Sequence, residues 1–203
     1  MPNVTPDRFP RRSALAGAIG VPFLIRFADA AEPVGIVDAL HGTATAQVGA
    51  SVRPLAPDAS VFVGDLVVTA AQSAIAFRLG PATLVRLGAE ARLRIDRFLI
   101  NAGGVLELAK GAMLFDHDLN AGQAAVRSPF GLIAVRGTRF FAGPSNGLFG
   151  VFVYRGEVLL VGRSTAELVR PEFGSDIAAP GAEPTPAHRW SDARIKAAEA
   201  SVM

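Results

Sequence analysis

From Val34 to about Val169 the chain is a succession of short apolar or alternating runs separated by turn residues. Val61-Phe62-Val63 passes through Gly64-Asp65 into Leu66-Val67-Val68-Thr69. Between Ala91 and Leu99, an extended backbone puts Leu93 and Ile95 on one face and Arg92, Arg94 and Asp96 on the other, the period of two of a half-buried strand. Phe149 to Tyr154 and Val158 to Val161 are β-branched and aromatic, and Arg155-Gly156 divides them into two predicted strands. Asn146-Gly147 predicts a hairpin turn, because both residues accept positive φ. Ser128-Pro129-Phe130-Gly131 has Pro and Gly where a type I turn takes them. No apolar period of 3.6 residues intervenes between these runs, so the pattern predicts an all-β domain over residues 31–177.

Gly64, Gly88, Gly111, Gly137 and Gly162 recur at intervals of 24, 23, 26 and 25 residues, each closing or interrupting an apolar run. That spacing favours a solenoid-like stack of short strands, with a β-sandwich as the alternative. Beyond it, residues 178–190 read as a Pro/Ala-rich linker, extended and mobile. Residues 191–203 read as a short C-terminal helix or frayed tail, with Ser191 as its cap and Asp192 in its first turn. On that reading Trp190 is a candidate partner contact carried on a tethered arm, with Ile195, Ala198 and Val202 on one helical face.

Composition narrows the chemistry. Cysteine is absent from the 203 residues, which excludes disulfides, thiolate nucleophiles and zinc ribbons. The net charge of +2 sits entirely in residues 1–30, where Arg8, Arg11, Arg12 and Arg26 face Asp7 and Asp29. The remaining body is neutral and has no electrostatic footprint for nucleic acid. Residues 1–30 carry the marks of an export signal. A basic stretch ends in Arg11-Arg12, an apolar stretch follows from Ala14 to Ile25, and Ala28-Asp29-Ala30 offers small residues at Ala28 and Ala30 for signal peptidase. The apolar stretch is too short to span a bilayer, so no transmembrane segment is expected. The arginine pair favours the twin-arginine route over the general secretory pathway, and the expected location is the periplasm.

Several strings in this β region resemble the FecR domain. They are Gly64-Asp65-Leu66-Val67-Val68-Thr69, Leu84-Val85-Arg86-Leu87-Gly88, Leu106-Glu107-Leu108 with Gly111, and Gly156-Glu157-Val158. The most specific is Ala134-Val135-Arg136-Gly137-Thr138-Arg139-Phe140. The likeness covers roughly Val34 to Val169. It implies a periplasmic β-rich signalling or ligand-sensing domain without catalysis. The best-known relatives add a cytoplasmic anti-sigma segment and a membrane helix. Neither has a counterpart ahead of Val34, so the expectation is a stand-alone module in envelope signalling whose partner is a periplasmic or envelope protein.

Weighed residue by residue, Gly64, Asp65, Thr69, Arg136, Gly137, Thr138 and Phe140 read as structural members of these motifs. Gly137 within a β-forming run predicts a bulge, and Asp65 predicts a side-chain-bonded turn. Asp116-His117-Asp118 is the one close carboxylate–imidazole cluster; on a strand His117 would face away from both aspartates, in a loop the further ligands of a metal site are missing, and the cluster reads as a solvated loop. No catalytic, cofactor or metal residue is assigned. A cell-wall or carbohydrate-binding accessory domain is the alternative function, opposed by the single Tyr and single Trp. An uncharacterised hydrolase ranks below both.

Overall fold

The computed structural model describes residues 32–99 and 103–203. The expected export signal, with Arg11, Arg12, Ala28 and Ala30, lies outside the described residues. The strands are β1 (Pro33–His41), β2 (Ala44–Val48), β3 (Ser51–Pro54), β4 (Ser60–Phe62), β5 (Leu66–Thr69), β6 (Ala74–Leu79), β7 (Thr83–Leu87) and β8 (Arg92–Leu99). They continue as β9 (Gly103–Lys110), β10 (Met113–His117), β11 (Gln123–Ser128), β12 (Gly131–Ser145), β13 (Leu148–Val161), β14 (Ala166–Val169), β15 (Phe173–Ile177) and β16 (His188–Arg189). One helix, α1 (Asp192–Ala200), follows them. The fold is all-β with a short C-terminal helix.

All of these strands belong to one sheet, and the long pair β12 and β13 curls it. The first half of β12 pairs with β11 and its second half with β10. β13 runs antiparallel to β12 on both sides of a register slip between Arg136 and Arg139. Its far half pairs with β14 and its near half with β15. Two limbs result. The first holds β3, β2, β5, β8, β9, β11 and β14 with one half of the long hairpin; the second holds β4, β1, β6, β7, β10, β15 and β16 with the other. Val67, Leu93, Ile95, Leu106, Val126 and Ile133 of the first limb share a single core with Phe77, Val85, Leu87, Phe115, Phe140 and Val151 of the second. Alternation supplies this inward face: in β7, and in β8 from Arg92 to Asp96, buried and more exposed positions take turns residue by residue.

Between strands the chain passes repeatedly from limb to limb. Gly42-Thr43, Ala70 to Ser73, Gly88 to Ala91 and Gly111-Ala112 line up along one edge. They are tied by Thr43 N–H to Ser73 Oγ (2.9 Å), Ala70 N–H to Thr43 O (3.0 Å) and Gly88 N–H to Ala112 O (3.0 Å). Three of the five recurring glycines, Gly64, Gly88 and Gly111, mark such passages, and Gly137 lies within β12 where that strand crosses from one limb to the other. The stack of short strands is therefore wound between two limbs. Neighbouring strands meet antiparallel, except β9 and β11, which are parallel. Arg155-Gly156 does not divide β13 as expected. With φ at +78°, Gly156 lets the strand bend and continue.

The tail corrects the sequence reading more deeply. The segment 178–190 is laid on the body rather than loose. Glu183 accepts from Ser164 N–H (2.8 Å) and Thr165 N–H (3.0 Å), while Thr185 bonds Ser175 and Asp176 through both backbone and hydroxyl. Ser191 caps α1 as expected, accepting from Arg194 N–H. Trp190 is 6% exposed and so is an internal anchor, not a partner contact. It joins Ala112, Leu114, Phe141, Phe152, Ala198 and Val202 in a second core on the outer face of the second limb. Gly150 and Gly174 seat its ring, since a Cβ on either would lie 2.6 or 2.3 Å from it. Arg194 covers the other side at 3.5 Å from the ring centroid and forms a two-pronged ion pair with Asp176, both side chains nearly buried. Phe141 and Phe152 belong to this outer cluster, and Trp190 from the tail packs on both rings.

Trp190→Ala is expected to cost about 3 kcal/mol or more, the range for a large aromatic in a filled site. Truncation after Ile177 is expected to lower the melting temperature sharply, and Trp190 emission in the intact chain to be blue-shifted and quencher-protected. Red-shifted, readily quenched emission with an unchanged melting temperature after truncation would contradict the second core.

Candidate functional site

The motif residues gather at the two edges where the limbs are joined. Asp65 is fully buried; its Oδ2 accepts from Phe62 N–H at 2.9 Å, closing the expected turn, and from the guanidinium of Arg53. Arg53 in turn stacks over Phe62 at 5.1 Å. The Thr69 hydroxyl donates to Gly88 O (2.6 Å) and accepts from Ala91 N–H (2.8 Å), so one side chain staples the end of β5 to both ends of the 88–91 passage. Gly137 sits in the register slip with φ at +65°, and a Cβ there would lie 2.7 Å from Leu119 Cα. Beside it Thr138 is buried and donates to Glu157 O at 3.4 Å, and Phe140 packs on Phe115 at 5.4 Å. Gly64 forms the turn before Asp65 with open space around it. Arg136 alone of the seven projects from the surface.

That exposed arginine borders a trough on the outer face of the first limb, about 1430 Å³ and open to solvent. Its floor is a row of cross-strand neighbours: Arg97 beside Val105, Val105 beside Ala125, Ala125 beside Ala134, Ala134 beside Leu159, and Leu159 beside Leu168. Ala125 and Ala134 are small, so the row is low in the middle. Leu159 and Leu168 are 42% and 39% exposed. Arg136, Gly137 and Gly156 also line it, and Leu119, 64% exposed, stands at the rim. Arg97 and Arg136 make no ion pair among the described residues, while Arg155 is held by Asp116 at 2.8 Å and Glu157 by Arg170 at 3.3 Å. The trough is an apolar strip with Arg97 at one end and Arg136 along one side. Sequence reasoning found Arg136 but not the strip. The outward Ala and Leu positions were visible as apolar residues on the second face of their strands, but only the register aligns them.

Asp116-His117-Asp118 is not a solvated loop. His117 ends β10 and is fully buried, stacked near Phe115. Its Nε2–H donates to Gly122 O (3.3 Å), which leaves Nδ1 to accept from the Thr83 hydroxyl (2.7 Å). Burial holds its pKa below the usual imidazole range, against the opposing pull of Gly122, Asp118 and Asp116. The neutral ring therefore ties the turn before β11, which carries Leu119, to the second limb. Among the described residues no three His, Asp or Glu side chains converge as a metal site.

The family model described as FecR protein matches residues 65–159, the stretch from the Asp65 turn to Leu159 on the trough floor. Two crystal structures, at 1.65 and 2.50 Å resolution, share the fold and are described as "a putative anti-sigma factor from Parabacteroides distasonis ATCC 8503". Their TM-scores are 0.54 and 0.53 at 15% identity, over 65% of this chain and 63% and 62% of theirs. This chain thus spans less than two thirds of the length of those proteins. No curated protein matches its sequence.

Gly137→Val is expected to cost more than about 2 kcal/mol, since a β-branched side chain fits neither the positive φ nor the contact with Leu119. Arg127→Ala, which removes an exposed 3.3 Å pair with Asp96, is expected to cost under about 0.5 kcal/mol. Equal, small losses in chemical denaturation would show that the bulge is not a structural requirement.

Proposed function

Because the chain carries a FecR domain over residues 65–159, we propose that it is a periplasmic module of envelope signalling that works by holding a protein partner. The reading rests on the trough. An apolar row with two exposed leucines and unpaired arginines at its margins suits a partner segment with apolar side chains and acidic flanks. The crystal structures described as anti-sigma factors support a signalling role by fold. A carbohydrate role is weaker, because Trp190 is buried and Tyr154 half-buried, leaving neither ring as an exposed sugar platform. The absence of catalysis belongs to the same proposal, as does export through residues 1–30.

A photo-crosslinking amino acid at Leu159 or Leu168 is expected to trap one discrete protein adduct in intact cells. The same group at Val52 in β3, 57% exposed on the opposite border of the first limb, should trap none. Identical adducts at all three positions, or none anywhere, would remove the assignment of the trough.

Intact-mass measurement of the periplasmic protein should place its first residue at Ala31 or Glu32. Replacing Arg11 and Arg12 with Lys should stop export, because the charge remains and the guanidinium pair does not. Normal processing of that variant would move export to the general pathway, and an uncleaved Met1 form would refute export altogether.

A further inference from the structure

A second cavity opens on the edge where the limb-to-limb passages line up. Those passages, at 42–43, 70–73, 88–91 and 111–112, seal the core along that edge. Beyond Gly111 the chain does not cross there. β11 turns into β12 at Pro129-Phe130 within the first limb, and β12 into β13 at Asn146-Gly147 within the second. What closes the gap is the Phe130 ring stacked on Phe149, 4.4 Å between centroids and 6° from parallel, with Ala178 to Pro180 alongside. The same residues line a cavity of about 590 Å³, within the size range of small-molecule sites. Its back wall is the core itself, Leu108 and Phe149, both almost fully buried. Pro129, Pro144 and Pro180 stiffen its rim, so its shape is largely preformed.

One charged side chain lines this cavity, Lys110. Its ammonium donates to Glu90 Oε2 at 2.8 Å, with both groups exposed. An ammonium has three donors, so two remain for another acceptor. We propose that the cavity binds an amphiphile with an apolar chain and a single carboxylate. The chain would lie against Leu108, Phe130 and Phe149, with the head at Lys110. An apolar wall reaching the core disfavours a polar ligand, and the two donors that Lys110 keeps beside its pair with Glu90 suit one anionic head rather than a cationic one. This site lies apart from the trough and does not depend on a protein partner there.

Calorimetric titration of the purified protein with decanoate, decan-1-ol and decylamine tests the proposal. Decanoate should bind one per chain and more tightly than decylamine. Lys110→Gln should weaken decanoate by about fivefold, the most that one exposed charge pair commonly contributes, and leave decan-1-ol unchanged. Ala179→Phe should fill the cavity and abolish both. Ala109→Phe, at an exposed position on the same wall, gives the same readout should the first variant fail to fold. No saturable binding of decanoate or decan-1-ol, or binding untouched in a folded Phe variant, would overturn the site. Equal affinity for decanoate and decylamine with a silent Lys110→Gln would overturn the carboxylate assignment.

Discussion

The fold depends on a bend in two strands. β12 and β13 are long enough to serve both limbs, and they do so because Gly137 and Gly156 adopt positive φ side by side. A Cβ on Gly156 would come within 2.5 Å of Gly137 O, so the close approach of the two backbones leaves no room for a side chain at Gly156. The slip at this point lets one hairpin keep its pairing while turning the sheet back on itself. Without that turn the inward rows of Phe, Leu, Val and Ile would face water instead of each other. The polar staples are secondary to it. Asp65 with Arg53, Thr69 with Gly88 and Ala91, and His117 with Thr83 each satisfy backbone or side-chain groups exposed by a passage between limbs.

The two outer faces are treated differently. On the second limb, Phe141 and Phe152 would form a large apolar patch, and the chain covers it with its own last residues through Trp190 and the Arg194–Asp176 pair. On the first limb, Val105, Ala125, Ala134, Leu159 and Leu168 have no such cover among the described residues. The tail after Ile177 thus covers one outer face and leaves the other open, and the open face is the one on which the proposed partner would sit. The same tail also blunts the sheet border: Glu167 in β14 accepts from Ala187 N–H at 2.8 Å, and β16 pairs with β15.

Residues legible in the sequence were those whose roles are local. Alternation in β8, the Asn146-Gly147 and Ser128 to Gly131 turns, the Gly137 bulge, the Asp65 turn and the Ser191 cap all depend on a few neighbouring residues and on intrinsic φ preferences. The all-β class followed from them, and the motif strings pointed to the family for the same reason. Local signals misled where distant chain decides. His117 sits between two aspartates and reads as solvated, yet Thr83 and Gly122 enclose it. Arg155-Gly156 reads as a break, yet continuous pairing with β12 carries the strand through.

Burial of an outward-facing apolar residue is a property of what arrives from elsewhere in the chain. Phe152 and Leu159 both stand on the outside of β13, seven residues apart, and nothing in their neighbourhood says which will be covered. The tertiary structure decides: Trp190 reaches Phe152, with 5.2 Å between ring centroids, while Leu159 stays exposed. The Pro/Ala composition of residues 178–190 likewise determined only that the segment is extended. Its docking depends on Ser164, Thr165, Ser175 and Asp176, whose positions are set by the curled sheet. The sequence by itself thus determined the strands, the turns and the glycine bends, because those are set by short-range sterics and a period of two. Which faces meet, which remain open, and where the core can be reached from outside were decided by the closing of the sheet, since contact across a fold carries no local period.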